Sequence, residues 1–229
     1  MTNSYSRVFQ FKITLKGITP RIWRRIQVPE TYTFWDLSIA IQSAMDWGGH
    51  HLHEFQIFNP KTGTLDDIGS PDEDSGRDVL IGWETKIAPY FSMENRRAEY
   101  LYDFGDYWEH NILLEKILPK EPDRTYPRCI AGKNNSPPDD VGSTQGYEEF
   151  VEIMNNPAHE EHDEMAEWYG GDEYDPTYFD CEDVVFVNPD KMLRLTKMFH
   201  EWIMIFSIFR VHKSYPGFPI VFDQILYTI

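Results

Sequence analysis

Ala98-Glu-Tyr-Leu-Tyr-Asp-Phe-Gly-Asp-Tyr-Trp-Glu-His-Asn-Ile-Leu-Leu-Glu-Lys-Ile117 decides the fold. Apolar and polar side chains alternate on both sides of Asp103-Phe-Gly-Asp106, and a period of two is the mark of half-buried strands. Gly105-Asp106 supplies the turn between them. Trp108, His110, Ile112 and Leu114 fall on one face, with Glu109, Asn111, Leu113 and Glu115 opposite. Two antiparallel neighbours are therefore expected at the heart of a sheet.

Outward from that hairpin the same periodicity recurs. Phe9, Phe11, Ile13 and Leu15 alternate with polar residues, as do Ile22, Ile26 and Val28, which predicts a second hairpin near the N-terminus. Thr33 with Asp36 three residues on is an approximate capping box. The helix it starts runs over 34–46 and stops at Gly48-Gly49. A strand over 51–58 follows, closed by the turn Asn59-Pro-Lys-Thr-Gly63. Residues 65–82 are acidic and lack periodicity, which suggests a surface loop. Pro89 interrupts any long helix over 85–95. Residues 119–146, rich in Pro, Gly and Asn, read as a loop held by other parts of the chain. Tyr147, Phe150, Val151 and Met154 mark a short helix, 159–169 an acidic one, and 184–187 a late strand. The apolar stretch 198–211 is too short and too polar to span a membrane and is expected as a core-docked helix, with 220–229 as an edge strand.

The expected architecture is a single α+β domain over residues 5–195: an antiparallel sheet, helices packed on it, and an acidic helical C-terminal part. Residues 196–229 form an apolar extension. Composition agrees with a folded core, at 41% hydrophobic and 15% aromatic, since disorder needs few aromatics. Two cysteines in 229 residues do not make a disulfide framework, and the first residues lack an apolar leader; both favour a cytoplasmic setting. The net charge of −17 is uneven. Residues 139–183 hold sixteen acids and no Lys or Arg, whereas 1–64 carry seven basic residues against four acids. Such a chain disfavours nucleic acid as a partner, though Arg21, Arg24 and Arg25 leave room for a local basic contact.

Two nine-residue stretches concentrate the chemistry: Trp47-Gly-Gly-His-His-Leu-His-Glu-Phe55 and Tyr102-Asp-Phe-Gly-Asp-Tyr-Trp-Glu-His110. On a strand, His51 and His53 share a face with Phe55. If the sheet brings the stretches together, these imidazoles and His110 meet the carboxylates of Asp103 and Asp106. Zinc takes such N and O donors and needs three or four. The simpler reading is structural, with buried histidines hydrogen-bonded and turn aspartates capping their own backbone. His159 and His162 are three apart on the acidic helix, where a solvated face is the default. Cys129 lies beside Arg128 with no paired base, so an idle thiol is expected. Pro137-Pro-Asp-Asp140 is a rigid turn whose carboxylates cap amides or point into the cluster, the cap being favoured. No P-loop, nucleophile elbow, HExxH or paired CxxC is present.

The chain resembles the plasmid ORF-3-like family, named for an open reading frame on an Agrobacterium root-inducing plasmid. The matching pieces are Ile18-Thr-Pro-Arg-Ile-Trp-Arg-Arg25, Trp47 with His51-Leu-His53 and Phe55, Tyr102-Asp-Phe-Gly-Asp-x-Trp-x-His110, Cys129-Ile-x-Gly132, Pro137-Pro-Asp-Asp140, Gly146-Tyr147, and Trp168 through Asp175-Pro-x-x-Phe179. The resemblance implies a compact α+β domain of unknown function and brings no activity with it. Ser136 and Val141 stand where members often carry cysteines, and Asp139 where they usually have Glu.

Three functions follow as expectations. The first is a non-enzymatic binding module that takes a protein, peptide or small-molecule ligand in a groove lined by Trp47, His51, His53, Asp103, Asp106, Trp108 and His110. The second is a metal-dependent hydrolase or nuclease, with His51, His53 and His110 holding a divalent ion such as zinc and an Asp acting as base. The third, weakened by the charge, is a DNA-binding recombination factor or repressor.

Overall fold

A computed structural model of the protein describes residues 5–49, 51–70 and 77–198. The chain divides into two units, Met1–Asp190 and Lys191–Ile229, each taken by itself. In the first unit eight strands form one sheet: β1 (Arg7–Leu15), β2 (Trp23–Pro29), β3 (His53–Phe58), β4 (Leu65–Gly69), β5 (Leu80–Ile81), β6 (Arg97–Tyr102), β7 (Trp108–Pro119) and β8 (Arg128–Lys133). Their order is β5-β4-β3-β6-β7-β1-β2-β8, antiparallel except for the short β4–β5 pair. Three helices join them: α1 (Phe34–Met45), α2 (Ser143–Met154) and α3 (His162–Tyr169). Of the second unit, residues 191–198 are described and are helical. The expectations for 199–211 and 220–229 lie outside the described residues.

The alternation in β1 buries Phe9, Phe11, Ile13 and Leu15, and β1 sits between β2 and β7. Gln10 is buried too, because Glu115 and Gln27 cover the opposite face with hydrogen bonds of 2.8 and 3.0 Å to its amide. The capping box of α1 forms as read: Thr33 Oγ1 accepts from Asp36 N at 3.1 Å and Asp36 Oδ2 from Thr33 N at 2.8 Å. The helix ends on Asp46 in a left-handed conformation, φ 59°, one residue before Trp47 and earlier than Gly48-Gly49. Asp36 apart, every residue of α1 is buried, so the helix is covered on all sides. Part of that cover is the segment after residue 183. Trp35 Nε1 donates to Pro189 O at 3.0 Å, and Ser43 Oγ accepts from Val187 N at 3.2 Å. Residues 184–187, expected as a strand, are therefore a strap along α1, bonded to a helix hydroxyl instead of a sheet edge.

Two loops of the sequence reading hold strands. Residues 65–82 contain β4 and β5, and 119–146 contain β8. β5 and β8 are the edges of the sheet, each paired on one flank only, and β4 lies next to the short edge strand β5; none of the three shows the apolar alternation of the central strands. β8 carries Gly132 opposite Arg24. A Cβ on Gly132 would run into the ring of Phe179, whose centroid lies 3.8 Å from the Arg24 guanidinium carbon. Gly132→Ala is expected to lower stability by about 1–3 kcal/mol through overpacking. A shift in the urea midpoint with an unchanged slope would register it; no shift would mean that Phe179 yields freely.

Candidate functional site

The two chemistry-rich stretches do fold against each other. β6 runs between β3 and β7, with His53 opposite Tyr102, Tyr100 opposite His110 and Tyr102 opposite Trp108. Trp47 leaves the end of α1 and lies flat on Tyr102, 4.8 Å between centroids at 10°. It also stacks near Trp108 at 6.0 Å and meets His110 edge-on at 5.4 Å. Trp47 Nε1 donates to Pro137 O at 2.9 Å. Behind this stack, Tyr100 Oη shares a 2.8 Å hydrogen bond with Ser38 Oγ and accepts from Gln42 Nε2 at 3.1 Å.

This ensemble is packed core. His53 is 1% exposed and His110 0%, and Trp47 and Trp108 are buried. Burial drives the imidazole of His53 down to about 4 and that of His110 down to about 3, so both are neutral at physiological pH. The space expected as a groove between Trp47, Trp108 and the histidines is filled, because Trp47 and the Tyr102 ring close it. His53 and His110 therefore stand inside the wall of the site and not on its surface.

The solvent-facing part lies one layer out. His51, just before β3, meets Tyr102 edge-on at 5.6 Å. Its Nδ1 is 3.7 Å from Asp103 Oδ2 and its Nε2 is 2.9 Å from Asp140 Oδ1. His51, Asp103 and Asp140 form the group of potential metal-ligating side chains among the described residues, with one donor atom each within 4.8 Å of one another. Of the three imidazoles expected to hold a metal, only His51 belongs to it; two carboxylates take the places given to His53 and His110. His50 lies outside the described residues.

Both aspartates occupy left-handed backbone, φ 58° at Asp103 and 62° at Asp140. Asx chemistry tolerates that region. Asp103 Oδ1 accepts from Gly105 N at 2.8 Å, which bends the β6–β7 turn and leaves Oδ2 toward His51. Asp106 caps elsewhere, accepting from Gly142 N at 2.9 Å. The Pro137-Pro-Asp-Asp140 turn does both things its sequence allowed. Asp139 accepts from Gly48 N at 2.9 Å, and Asp140 points at His51. On the same β6–β7 turn Phe104 is 40% and Tyr107 59% exposed, and Tyr107 lines a surface hollow with Glu54, Gln56, Glu99 and Glu109.

One residue essential to this geometry gave only a positive charge as its signal. Arg24, on the inner face of β2, is buried. Its Nε donates to Ala44 O at 2.8 Å, Nη1 to Asn134 O at 2.8 Å and Nη2 to Ser136 Oγ at 2.7 Å. Burial lowers its guanidinium to about 10, still charged at neutral pH. It thus ties the end of α1 to the chain that leads into Pro137. Arg25 is engaged by Glu115 at 2.6 Å, so neither arginine is a bare basic contact. Cys129 is half-buried, its thiol pushed up to about 12 by burial and by Cys181, in keeping with an idle thiol. The helix expected over 159–169 begins at His162, which is buried, so His159 lies ahead of α3 and does not share a helical face with it; its Nδ1 accepts from Glu161 N at 3.2 Å.

Three comparisons bear on this arrangement. A crystal structure of a protein of unknown function from Methanosarcina mazei Go1 superposes with a TM-score of 0.73 at 48% identity, over 80% of this chain and 100% of that one. The uncharacterized protein y4hQ of Sinorhizobium fredii is 35% identical over 169 residues, 73% of this chain and 84% of its own length. The family model for plasmid pRiA4b ORF-3-like protein matches residues 7–183, a span that holds the whole sheet, all three helices and every residue of the His51–Asp103–Asp140 group. The chain belongs to the plasmid pRiA4b ORF-3-like family.

Proposed function

We propose that this protein is a cytosolic, non-enzymatic binding module that recognises a protein or peptide segment on the β6–β7 turn. The contact surface is formed by Phe104 and Tyr107, with His51, Asp103 and Asp140 as its polar rim. The observation that carries the reading is two solvent-exposed aromatic side chains on the turn that also carries Asp103 of the His51–Asp103–Asp140 group. Aromatic anchors beside a few placed polar groups are how interfaces concentrate their energy. Packing supports it as well. The turn rests on the Trp47–Tyr102–Trp108 stack, so a partner would meet a preorganised surface. Cys129 and Cys181 are free thiols, which suits a reducing compartment. No helix among the described residues is long and apolar enough to cross a membrane. A hydrolytic centre built on His53 and His110 is not favoured, since neither imidazole reaches solvent.

The test is affinity capture with the full chain and with a Phe104→Ser, Tyr107→Ser double variant, in buffer containing EDTA. Anchors of this type contribute about 2 kcal/mol or more, roughly thirtyfold in affinity. Partners held by the native chain should be lost by the variant while its melting temperature stays unchanged. Retention of the same partners by a folded variant would rule this surface out.

A further inference from the structure

We propose that His51, Asp103 and Asp140 form a binding site for a first-row divalent transition ion of the zinc class. The inference deepens the interaction surface just described, since the ion would sit on its polar rim, but it rests on separate observations.

The three donors come from separate parts of the chain: the entry to β3, the β6–β7 turn and the Pro-Pro turn before α2. They converge with one nitrogen or oxygen each within 4.8 Å. Two of them are held in place by independent anchors. Asp103 is buried, and its Oδ1 is engaged by Gly105 N, so Oδ2 is fixed toward His51. Asp140 follows Asp139, which is tied to Gly48 N, and its backbone is set at φ 62°. The His51 ring is braced edge-on by Tyr102.

Charge points the same way. Two carboxylates face one imidazole, and among the described residues no Lys or Arg pairs with either carboxylate. The Nε2 atom of His51 is shielded from solvent and has no hydrogen-bond partner, although Asp140 Oδ1 lies 2.9 Å away. The other ring nitrogen, Nδ1, lies 3.7 Å from Asp103 Oδ2, so the two carboxylates flank different nitrogens of one imidazole and the ion would take one of them. The donor set also selects the ion. One imidazole with two carboxylates suits zinc and its first-row neighbours, whereas calcium asks for six to eight oxygens. Zinc–ligand bonds of about 2.0–2.1 Å put tetrahedral donors about 3.4 Å apart. Asp140, 69% exposed, is the donor with most room to adjust toward that spacing. Three protein donors leave a coordination position that a donor from a bound partner can fill.

The experiment is calorimetric titration of the metal-free full chain with zinc chloride at chelator-buffered free zinc. It is run on the native protein and on Asp140→Asn, His51→Gln and His159→Ala. Asp140→Asn changes a solvent-exposed side chain and leaves the core untouched, so its melting temperature is expected to match the native value. One equivalent should bind. Asp140→Asn and His51→Gln should weaken it by about tenfold or more, the cost found even for groups that only support a ligand. His159→Ala, in the acidic segment just ahead of α3, should leave it unchanged. Absence of a zinc isotherm would overturn the proposal. So would an isotherm indifferent to Asp140→Asn, or one abolished by His159→Ala, either of which means adventitious binding by the acidic surface. Partner capture in EDTA stands or falls independently, so loss of the metal site and loss of the interaction surface are separable results.

Discussion

Replacing Arg24 with methionine is expected to cost at least about 3 kcal/mol, and up to about 9, because three acceptors inside the protein lose their donor together. Ala44 O, Asn134 O and Ser136 Oγ receive hydrogen bonds of 2.7–2.8 Å from one guanidinium. Each buried acceptor left unsatisfied costs about 1–3 kcal/mol. Methionine restores apolar volume but no donor, so it isolates that penalty from a simple cavity. Domains of this size hold about 5–15 kcal/mol in all, and the variant should be marginal or unfolded at 37 °C. Arg25→Met, one residue along the same strand, removes a partly exposed ion pair with Glu115 and should cost only about 0–1 kcal/mol. Denaturant titration of the pair decides the matter. Equal midpoints for the two variants would mean that Arg24 is dispensable. A folded Arg24 variant should also bind zinc more weakly, because Ser136 leads directly into the turn that carries Asp140.

The second large effect is a loss of stability on mild acidification. His53 and His110 have an ordinary value of 6.5 and are driven by burial to about 4 and about 3 in the folded chain. Below pH 6.5 the unfolded chain takes up a proton at each site and the folded chain does not. Stability from these two groups is therefore complete above pH 6.5. It is lost as pH falls, levelling off for His53 near pH 4 and for His110 near pH 3. Near pH 5 the unfolded state holds about two more protons, a slope of about 2.7 kcal/mol per pH unit. The fall from pH 7 to pH 5 is then about 4 kcal/mol. Asp36 and Asp46, whose carboxyls burial pushes upward, act in the opposite sense nearer the carboxylate range. Urea midpoints between pH 7 and 5 test this directly. His110→Gln, if folded, should halve the slope; a native profile flat across that window would show that both imidazoles can charge in place.

What could be read from the sequence follows from which residues are doubly buried. β1, β2, β6 and β7 announce themselves because Phe9, Phe11, Ile13, Ile112 and Leu114 must recur at alternate positions to fill the inner face. α1 is legible from Thr33 and Asp36, whose side chains close its first turn. β4 is hidden by Asp66 and Asp67, which spend their carboxylates on Asn59 and Tyr90 and on Gln56 and Arg77. β8 is hidden because its residues are only half-buried and carry no alternation. For the candidate site, composition drew attention to two stretches, and pairing of β3, β6 and β7 brought them together. What it could not supply was depth. On a strand, position parity tells which face a histidine takes but not whether a tryptophan from a helix end will lie across it. Trp47 does, and this moves the reachable chemistry from His53 and His110 to His51 and Asp103. Asp140 enters from a turn whose two aspartates look alike in sequence; only the position of Gly48 N distinguishes the one that caps from the one that points outward.

The placement of β1 has a consequence for how the protein is made. β1 precedes the other strands of this sheet in the chain and ends up in its interior, zipped to β2 on one flank and, across Arg7–Leu15 and Pro119–His110, to β7 on the other. Its second neighbour is about a hundred residues behind it in synthesis. Until then the nascent hairpin offers Phe9, Phe11 and Ile13 and an unpaired row of amides to whatever is nearby. Such long-range closure makes folding slow compared with helical chains of similar size.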